Sequence, residues 1–560
     1  MLSFFGPRPA RSETTIHSGG SILDTGRPLT LAFRGMVSCP HALASEAGVE
    51  ILKAGGSAVD AAIAASAVLS VVYPHMTSIG GDAFWLIYDA RRRAVRFLDA
   101  SGRATASATI EWFQSRGFGE IPLRGIVPAT VTVPGAVDGW CQAHDAHGRL
   151  TLARDLAPAI GYAREGFPVT RRLADWTERA AAVLAENAEA AAIFLPGGAP
   201  PRPGQRLCNA DLALTIERIA AEGRAGFYDG DTAREIVRYS RAHGGLHAEQ
   251  DFARQRSVWG EPLHTSYRGV TVYETPPPTQ GISVLQMLNL LEAFDLGALE
   301  YLGPDHVHLL VQAKMIAFHD RDRLIADPDF VTVPVERLLS RAYADRRRRL
   351  IHRERAIGWD RLPSEGSLAG DTVYVSAVDG EGNAASLIHS LYGDYGAGVV
   401  AGNTGVVLQN RGAYFSLDPG HPNRLEPGKR PLHTLVASLA FRNDRLWQVF
   451  GCMGADGQPQ IHLQAYTAMI DFGLDIQQAV ESPRWLSGRF ALGEPRDLLN
   501  MEGRFPEHTG AELARRGHLI NRWEAWNERA GHAHGITLDP DTGALCGGSD
   551  PRSDGAAIGY

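Results

Sequence analysis

"GDTVYVSAVDGEGNAAS", residues 370–386, is the stretch on which the fold turns. Val373, Val375 and Ala377 alternate with Tyr374, Ser376 and Val378, the period of two that belongs to a strand. Asp379-Gly380-Glu381-Gly382-Asn383 supplies turn chemistry before a second short run, so the segment reads as a β-hairpin. Thr372 stands at its head. A threonine there is a good strand former, and it is also a residue that chain cleavage would convert into an N-terminal nucleophile. On the hairpin alone both readings stay open.

The bulk properties narrow the choice. A chain of 560 residues is long for one core, and length alone suggests several domains. With 44% hydrophobic and 21% charged residues the composition is that of a soluble globular protein. A net charge of −8 leaves no electrostatic footprint for nucleic acid or an anionic membrane, so neither is expected as a partner. The run Arg346–Arg349 reads as a solvated face. The apolar patch in "MLSFF" is shorter than the roughly 7–15 residues of a signal-peptide core. The Ala-rich stretch Ala61–Tyr73 falls short of the roughly 20 residues of a membrane helix. Cys39, Cys141, Cys208, Cys452 and Cys546 are odd in number and lack paired spacing, which argues against a disulfide framework and a zinc site. A cytoplasmic location is expected.

Along the chain, residues 1–30 read as a loosely structured arm rich in Gly, Ser, Pro and Arg. "HALASEAGVEILKAGGSAVDAAIAASAVLSVV" predicts two helices, the first closed by Gly55-Gly56, and "AFWLIYDARRRAVRFLDASG" predicts a hairpin. The middle, from about 150 to 350, is mostly helical by its three- and four-residue spacing, as in 213–223 and 305–324. "ETPPPTQGISVLQMLNLLE" opens with a proline turn and continues as a helix. Beyond Thr372 the pattern changes to strands and Gly-rich turns with one strong helix near 461–472. The composition shifts in "WDRLPSEGSLAGD", which reads as an exposed linker.

Most candidate sites have a plainer reading. "SIGGDAF" (78–84) lacks the Lys and Ser/Thr of a phosphate loop and reads as a tight turn. His306-x-His308 and His532-x-His534 have no third ligand at a recognisable spacing, so no metal site is expected. Cys452 has no neighbouring histidine pattern and reads as a small buried residue. "LQNRGAYFSLDPGHPNRLEPGKRPLHTLVASLA" (408–440) is denser in Gly, Pro, Arg and Asn than a connector requires. "VFGCMGADGQPQIHLQAYTAMI" (449–470) sets a glycine turn between a strand and a helix, where backbone N–H groups can face an oxyanion.

Taken together these segments give the chain a likeness. It resembles the γ-glutamyltranspeptidase family of N-terminal-nucleophile hydrolases over nearly its whole length, from "GMV…ILKAGGSAVDAAIAASAVLSVVYP" through "PPPTQG" to "SDPRSDGAAIGY". "TVYVSAVDGEGNAAS" fits the family's nucleophile segment, and "PGKRPLHTL" and "GCMGADGQPQ" fit its two oxyanion segments. The resemblance implies an α+β fold, one αββα four-layer sandwich. It would be built from both halves of a self-cleaved chain: after the arm, a large subunit to residue 371 and a small subunit 372–560 that intertwine as one catalytic domain. It implies no cofactor, and a homodimer of the processed heterodimer is compatible with it. Thr372 would be the nucleophile, Ser390 the second hydroxyl that orients it, and Gly454 and Ala455 the backbone donors to the oxyanion, with Ala455 replacing the usual second glycine.

The substrate-reading residues depart further from the family. The arginine that reads the γ-glutamyl group falls on Ser101, with Arg103 two residues on. The asparagine beyond the second hydroxyl is Tyr392, the amide or acid before the "FS" pair is Arg411, and the aspartate that holds the substrate ammonium is Tyr414. The serine pair appears as His433-Thr434, and Asp394 stands near enough in sequence to replace the missing acid. This pattern resembles the divergent branch that includes oxamate amidohydrolase. It implies an amidohydrolase acting on a small carboxylate-bearing amide, with Arg103 and Arg411 as carboxylate readers. A true γ-glutamyl hydrolase or transferase with a rebuilt pocket, and an unprocessed non-catalytic scaffold, are the alternatives.

Overall fold

The computed structural model describes residues 27–357, 371–488, 495 and 497–560. The predicted linker at 359–371 lies outside them except for Asp371, as does most of the N-terminal arm; Thr30–Ala32 is already an edge strand.

The hairpin forms as its alternation requires. Asp371–Val378 pairs antiparallel with Ala384–Tyr392, and the turn between them is closed by the Asp379 carboxylate accepting from the Glu381 and Asn383 backbone N–H groups. This hairpin lies at the centre of a seven-stranded sheet, with Met36–Cys39 on one side and Asp82–Asp89 on the other. A second seven-stranded sheet contains Ala437–Arg442, Arg445–Cys452 and Ala533–Leu538.

Period-two alternation assigns each strand face to a different core. Val373, Val375 and Ala377 pack outward against the helices Ala42–Lys53 and Ala58–Val72. Tyr374 and Val378 point inward, where they meet Leu439, Val449 and Ile536 of the facing sheet. The outer face of that second sheet is covered by Gly281–Leu291, Pro304–Leu324 and Gln458–Ile470. The order is helix, sheet, sheet, helix: an αββα sandwich in which Thr372 and Ser390 share the inter-sheet parity of Tyr374 and Ile388.

The predicted helices and the second hairpin, Asp82–Asp89 with Ala94–Ala100, are present. Among the described residues after Thr372 there are two further α-helices, Ile476–Glu481 and Glu507–Arg515, whose six and nine residues carry too few turns for a clear periodic signal. "SIGGDAF" is a tight turn: a Cβ on Gly81 would lie 2.3 Å from the Ser390 carbonyl oxygen, so glycine permits the turn to press against the hairpin. Among the described residues, no helix is long and apolar enough to cross a membrane.

Candidate active site

Thr372 sits where the strand pairing is irregular. Asp371 is opposite Tyr392, the register then shifts, and Val373 is opposite His389. Such a bulge re-aims a side chain. The Thr372 hydroxyl donates to Ser390 Oγ at 3.1 Å, and Ser390 Oγ donates to the Asp371 carbonyl oxygen at 2.6 Å. The Tyr392 N–H donates to the same serine oxygen at 2.9 Å, which fixes its rotamer. One serine therefore connects the Thr372 hydroxyl to the carbonyl of the peptide bond that precedes it.

The two glycine-rich segments converge through residues the sequence reading did not select. Gln280, at the end of "PPPTQG", donates from Nε2 to the carbonyls of Thr434 (2.7 Å) and Ala455 (2.9 Å), pinning one segment to the other. Arg321, fully buried on the helix Pro304–Leu324, donates to Gln280 Oε1 at 2.6 Å and pairs with Asp456. Gly454 and Ala455 have φ of 144° and 47°. The first suits glycine, and the second is a left-handed conformation that costs an alanine about 1–2 kcal/mol. Both precede the helix Gln458–Ile470, so their N–H groups stand at its N-terminal end.

Tyr392, Arg411, Tyr414, His433 and Thr434 are brought together. Arg411 is 1% exposed, its guanidinium stacks over the Tyr392 ring at 4.3 Å, and Nη1 donates to Thr434 Oγ1 at 3.3 Å. Its Nη2 has no partner, and no carboxylate of the described residues lies within ion-pair reach. Tyr414 meets Tyr392 edge-to-face at 5.5 Å. His433 is buried against Phe84, and burial with the charges of Arg411 and Arg430 holds it well below the usual imidazole range, hence neutral.

Asp82 is the cross-strand neighbour of Ser390. Its Oδ1 accepts from the N–H groups of Gly102 and Gly135 and from Gln409, while Oδ2 has no hydrogen-bond partner and faces His433 Nε2 at 3.6 Å. Burial pushes its pKa up to about 7 against the pull of Arg411 and these donors.

Arg103 and Asp394 are committed elsewhere. Arg103 pairs with Asp329 at 2.9 Å and donates to the Gly428 carbonyl, beside a different surface depression. Asp394 is ion-paired with Arg124, which also donates to the Gly396 carbonyl at 2.8 Å. Neither histidine pair belongs to a cluster with metal-ligand spacing among the described residues. Cys452 is buried, and burial holds its thiol well above the usual range.

Residues 44–560 match the family model for gamma-glutamyltranspeptidase. The chain is 42% identical over 525 residues to the glutathione hydrolase-like YwrD proenzyme of Bacillus subtilis, covering 94% of this chain and 98% of that one. It is 39% identical over 531 residues to the oxamate amidohydrolase proenzyme of Klebsiella pneumoniae, again with 94% and 98% covered. Its fold superposes on the cephalosporin acylase from Bacillus halodurans with a TM-score of 0.89 at 37% identity, covering 100% of this chain and 99% of that one.

Proposed function

The chain belongs to the gamma-glutamyltranspeptidase family of enzymes, and on that premise we propose that it is a self-processing amidohydrolase whose nucleophile is Thr372. The observation that carries the reading is the relay Thr372 Oγ1 to Ser390 Oγ to the Asp371 carbonyl. In the intact chain Ser390 polarises that carbonyl. Thr372 Oγ1 attacks its carbon, the C–N bond breaks, and the hydroxyl proton ends on the departing α-amine. Water hydrolyses the resulting ester. Asp371 becomes a C-terminus, and Thr372 gains a free amine beside its hydroxyl.

A threonine hydroxyl is a weak nucleophile at neutral pH, and the adjacent amine serves as its general base. Attack on a substrate amide then gives an acyl ester on Oγ1 and releases the amine product. Water releases the acyl group by the same path. The N–H groups of Gly454 and Ala455 stabilise the tetrahedral oxyanion, and Gln280 holds them in register with Thr434.

The substrate is a small amide bearing a carboxylate. Support comes from Arg411: a buried guanidinium whose Nη2 has no hydrogen-bond partner and which makes no direct ion pair among the described residues offers paired, charge-assisted hydrogen bonds to an incoming carboxylate. Arg103 is already paired with Asp329, so Arg411 is the reader proposed. Asp394 is spent on Arg124, and Tyr414 offers a hydroxyl where an ammonium would require an anion, so an α-amino group on the substrate is not required. The processed enzyme is assayed against oxo-acid amides, glutaryl amides and γ-glutamyl amides. Preference for compounds without the amine is expected. A clear preference for the γ-glutamyl compound would overturn the substrate assignment.

A further inference from the structure

Three helices on the outer layer, on the far side of the hairpin sheet from the inter-sheet space, bring together a second set of chemically expressive side chains. Asp60 stands in the first turn of Ala58–Val72, His144 in the last turn of Ala136–His147, and Asp155 in the first turn of Leu152–Glu165. We propose that Asp60, His144 and Asp155, with the Leu150 carbonyl, form a binding site for one divalent first-row cation such as Zn²⁺ or Mn²⁺.

Both carboxylates are fully buried. Asp60 Oδ2 is satisfied by the N–H groups of Ser57, Arg149 and Leu150, which leaves Oδ1 without a partner. Asp155 receives no N–H or hydroxyl donor at either oxygen, and its carboxyl stands within hydrogen-bond reach of the Asp60 carboxyl. Among the described residues their one ion-pair neighbour is His144, whose Nε2 lies 4.0 Å from Asp60 Oδ1 and 3.7 Å from Asp155 Oδ2. Two buried carboxylates with no arginine or lysine bridge among the described residues call for compensation by a cation or by a proton.

The side chains are poised around one point but stand wider than a closed shell: the 3.7 and 4.0 Å separations from His144 Nε2 must contract by a few tenths of an ångström on binding. One ligand atom from each of the three side chains lies within 4.8 Å of the others, and the Leu150 oxygen is 2.9 Å from His144 Nε2. Two ligands each about 2.1 Å from a common cation stand about 3.0–3.6 Å apart at ordinary coordination angles. One imidazole, two carboxylates and a carbonyl favour a first-row ion over Ca²⁺, which takes six to eight oxygens, and over Mg²⁺, which keeps its waters. Gly148 completes the enclosure: a Cβ there would lie 2.9 Å from Asp60 Oδ1 and 2.7 Å from the His144 ring. The cation would tie three helices and the 148–151 connection together, as a stabilising rather than a catalytic element.

The competing arrangement holds no ion. His144 Nε2–H donates to the Leu150 carbonyl, and a single proton is shared by the carboxyl pair, since burial and the charge of Asp60 push Asp155 up to about 9. The full-length protein is stripped with chelator, dialysed against Zn²⁺ or Mn²⁺, freed of excess ion, and analysed for metal content and thermal unfolding. The proposal expects about one equivalent retained, an unfolding midpoint several degrees lower after stripping, and recovery on reloading. Asp155→Asn, and His144→Gln at the partly exposed position, should retain none and respond to neither treatment. Wild type that holds no metal, or variants that hold as much as wild type, would overturn it. A shared proton predicts Asp155→Asn to be at least as stable as wild type, with no metal response in either.

Discussion

At the scale of the residue, Ser390 has the most demanding position. Its single hydroxyl accepts from Thr372 and Tyr392 and donates to the Asp371 carbonyl, so it has no spare capacity. On the proposed mechanism, Ser390→Ala removes the group that polarises the carbonyl and orients the nucleophile but leaves the nucleophile itself. Both self-cleavage and turnover should slow by about 10²-fold without being abolished. Time courses on denaturing gels and amide hydrolysis read the two steps separately, and unchanged rates would reduce Ser390 to an ordinary strand residue. Arg411 is tested by Arg411→Lys, which keeps a charge but loses the planar fork. Loss of one or two charge-assisted hydrogen bonds, about 1.5–3 kcal/mol, should lower kcat/KM by about tenfold to a hundredfold for the carboxylate-bearing amide. A neutral amide of similar size should be hydrolysed as before. An equal loss on both substrates would place Arg411 in the scaffold instead.

At the scale of the element, the pairing of Asp82–Asp89 with Ala384–Tyr392 sets Asp82 directly across from Ser390. The folded pKa of Asp82, about 7, lies above the ordinary aspartate value, so the stability linked to its proton is present below about pH 4 and is lost as pH rises through 7. Asp82→Asn keeps the Oδ1 acceptor for Gly102, Gly135 and Gln409 and removes the ionisation. Its unfolding midpoint should fall less than that of wild type between pH 5 and pH 8; parallel profiles would contradict the assignment. The same pairing shows what could be read in advance. The hairpin was legible because alternation and a glycine turn are local signals, whereas the roles expected of Thr372 and Ser390 came from the family resemblance. Gln280, Arg321 and Asp456 were not legible as a group, because their contacts span 41 to 175 residues of chain. The setting of Arg103 is hidden for the same reason. Its basic charge is visible in sequence, whereas Asp329, which claims it, lies 226 residues away.

At the scale of the whole molecule, the C-terminal "SDPRSDG" is bound to the segments around Arg484, Glu502 and Ala533 through buried charges. Asp550 accepts from Arg484, Arg552 and the Ala533 N–H, and Arg552 also pairs with Glu502. Burial alone would raise the Asp550 pKa, but Arg484 and Arg552 outweigh it and hold the carboxyl below the usual range. A depressed folded pKa contributes stability that is present above about pH 4 and lost as pH falls towards the folded value. Asp550→Asn leaves two buried guanidinium groups short of a counter-charge and should cost about 3–5 kcal/mol, read as a lower denaturant midpoint at neutral pH. Wild type should lose that advantage as the pH drops below 4. The central claim is that the molecule makes its own active site by cutting itself before Thr372. Intact-mass analysis with N-terminal sequencing, on protein purified to homogeneity and incubated without protease, tests it directly. Wild type should resolve into two chains, the smaller beginning Thr-Val-Tyr-Val, while Thr372→Ala remains a single inactive chain of full length. A wild-type protein that hydrolyses amides as one uncut chain, or a Thr372→Ala protein that still divides at this bond, would contradict the account.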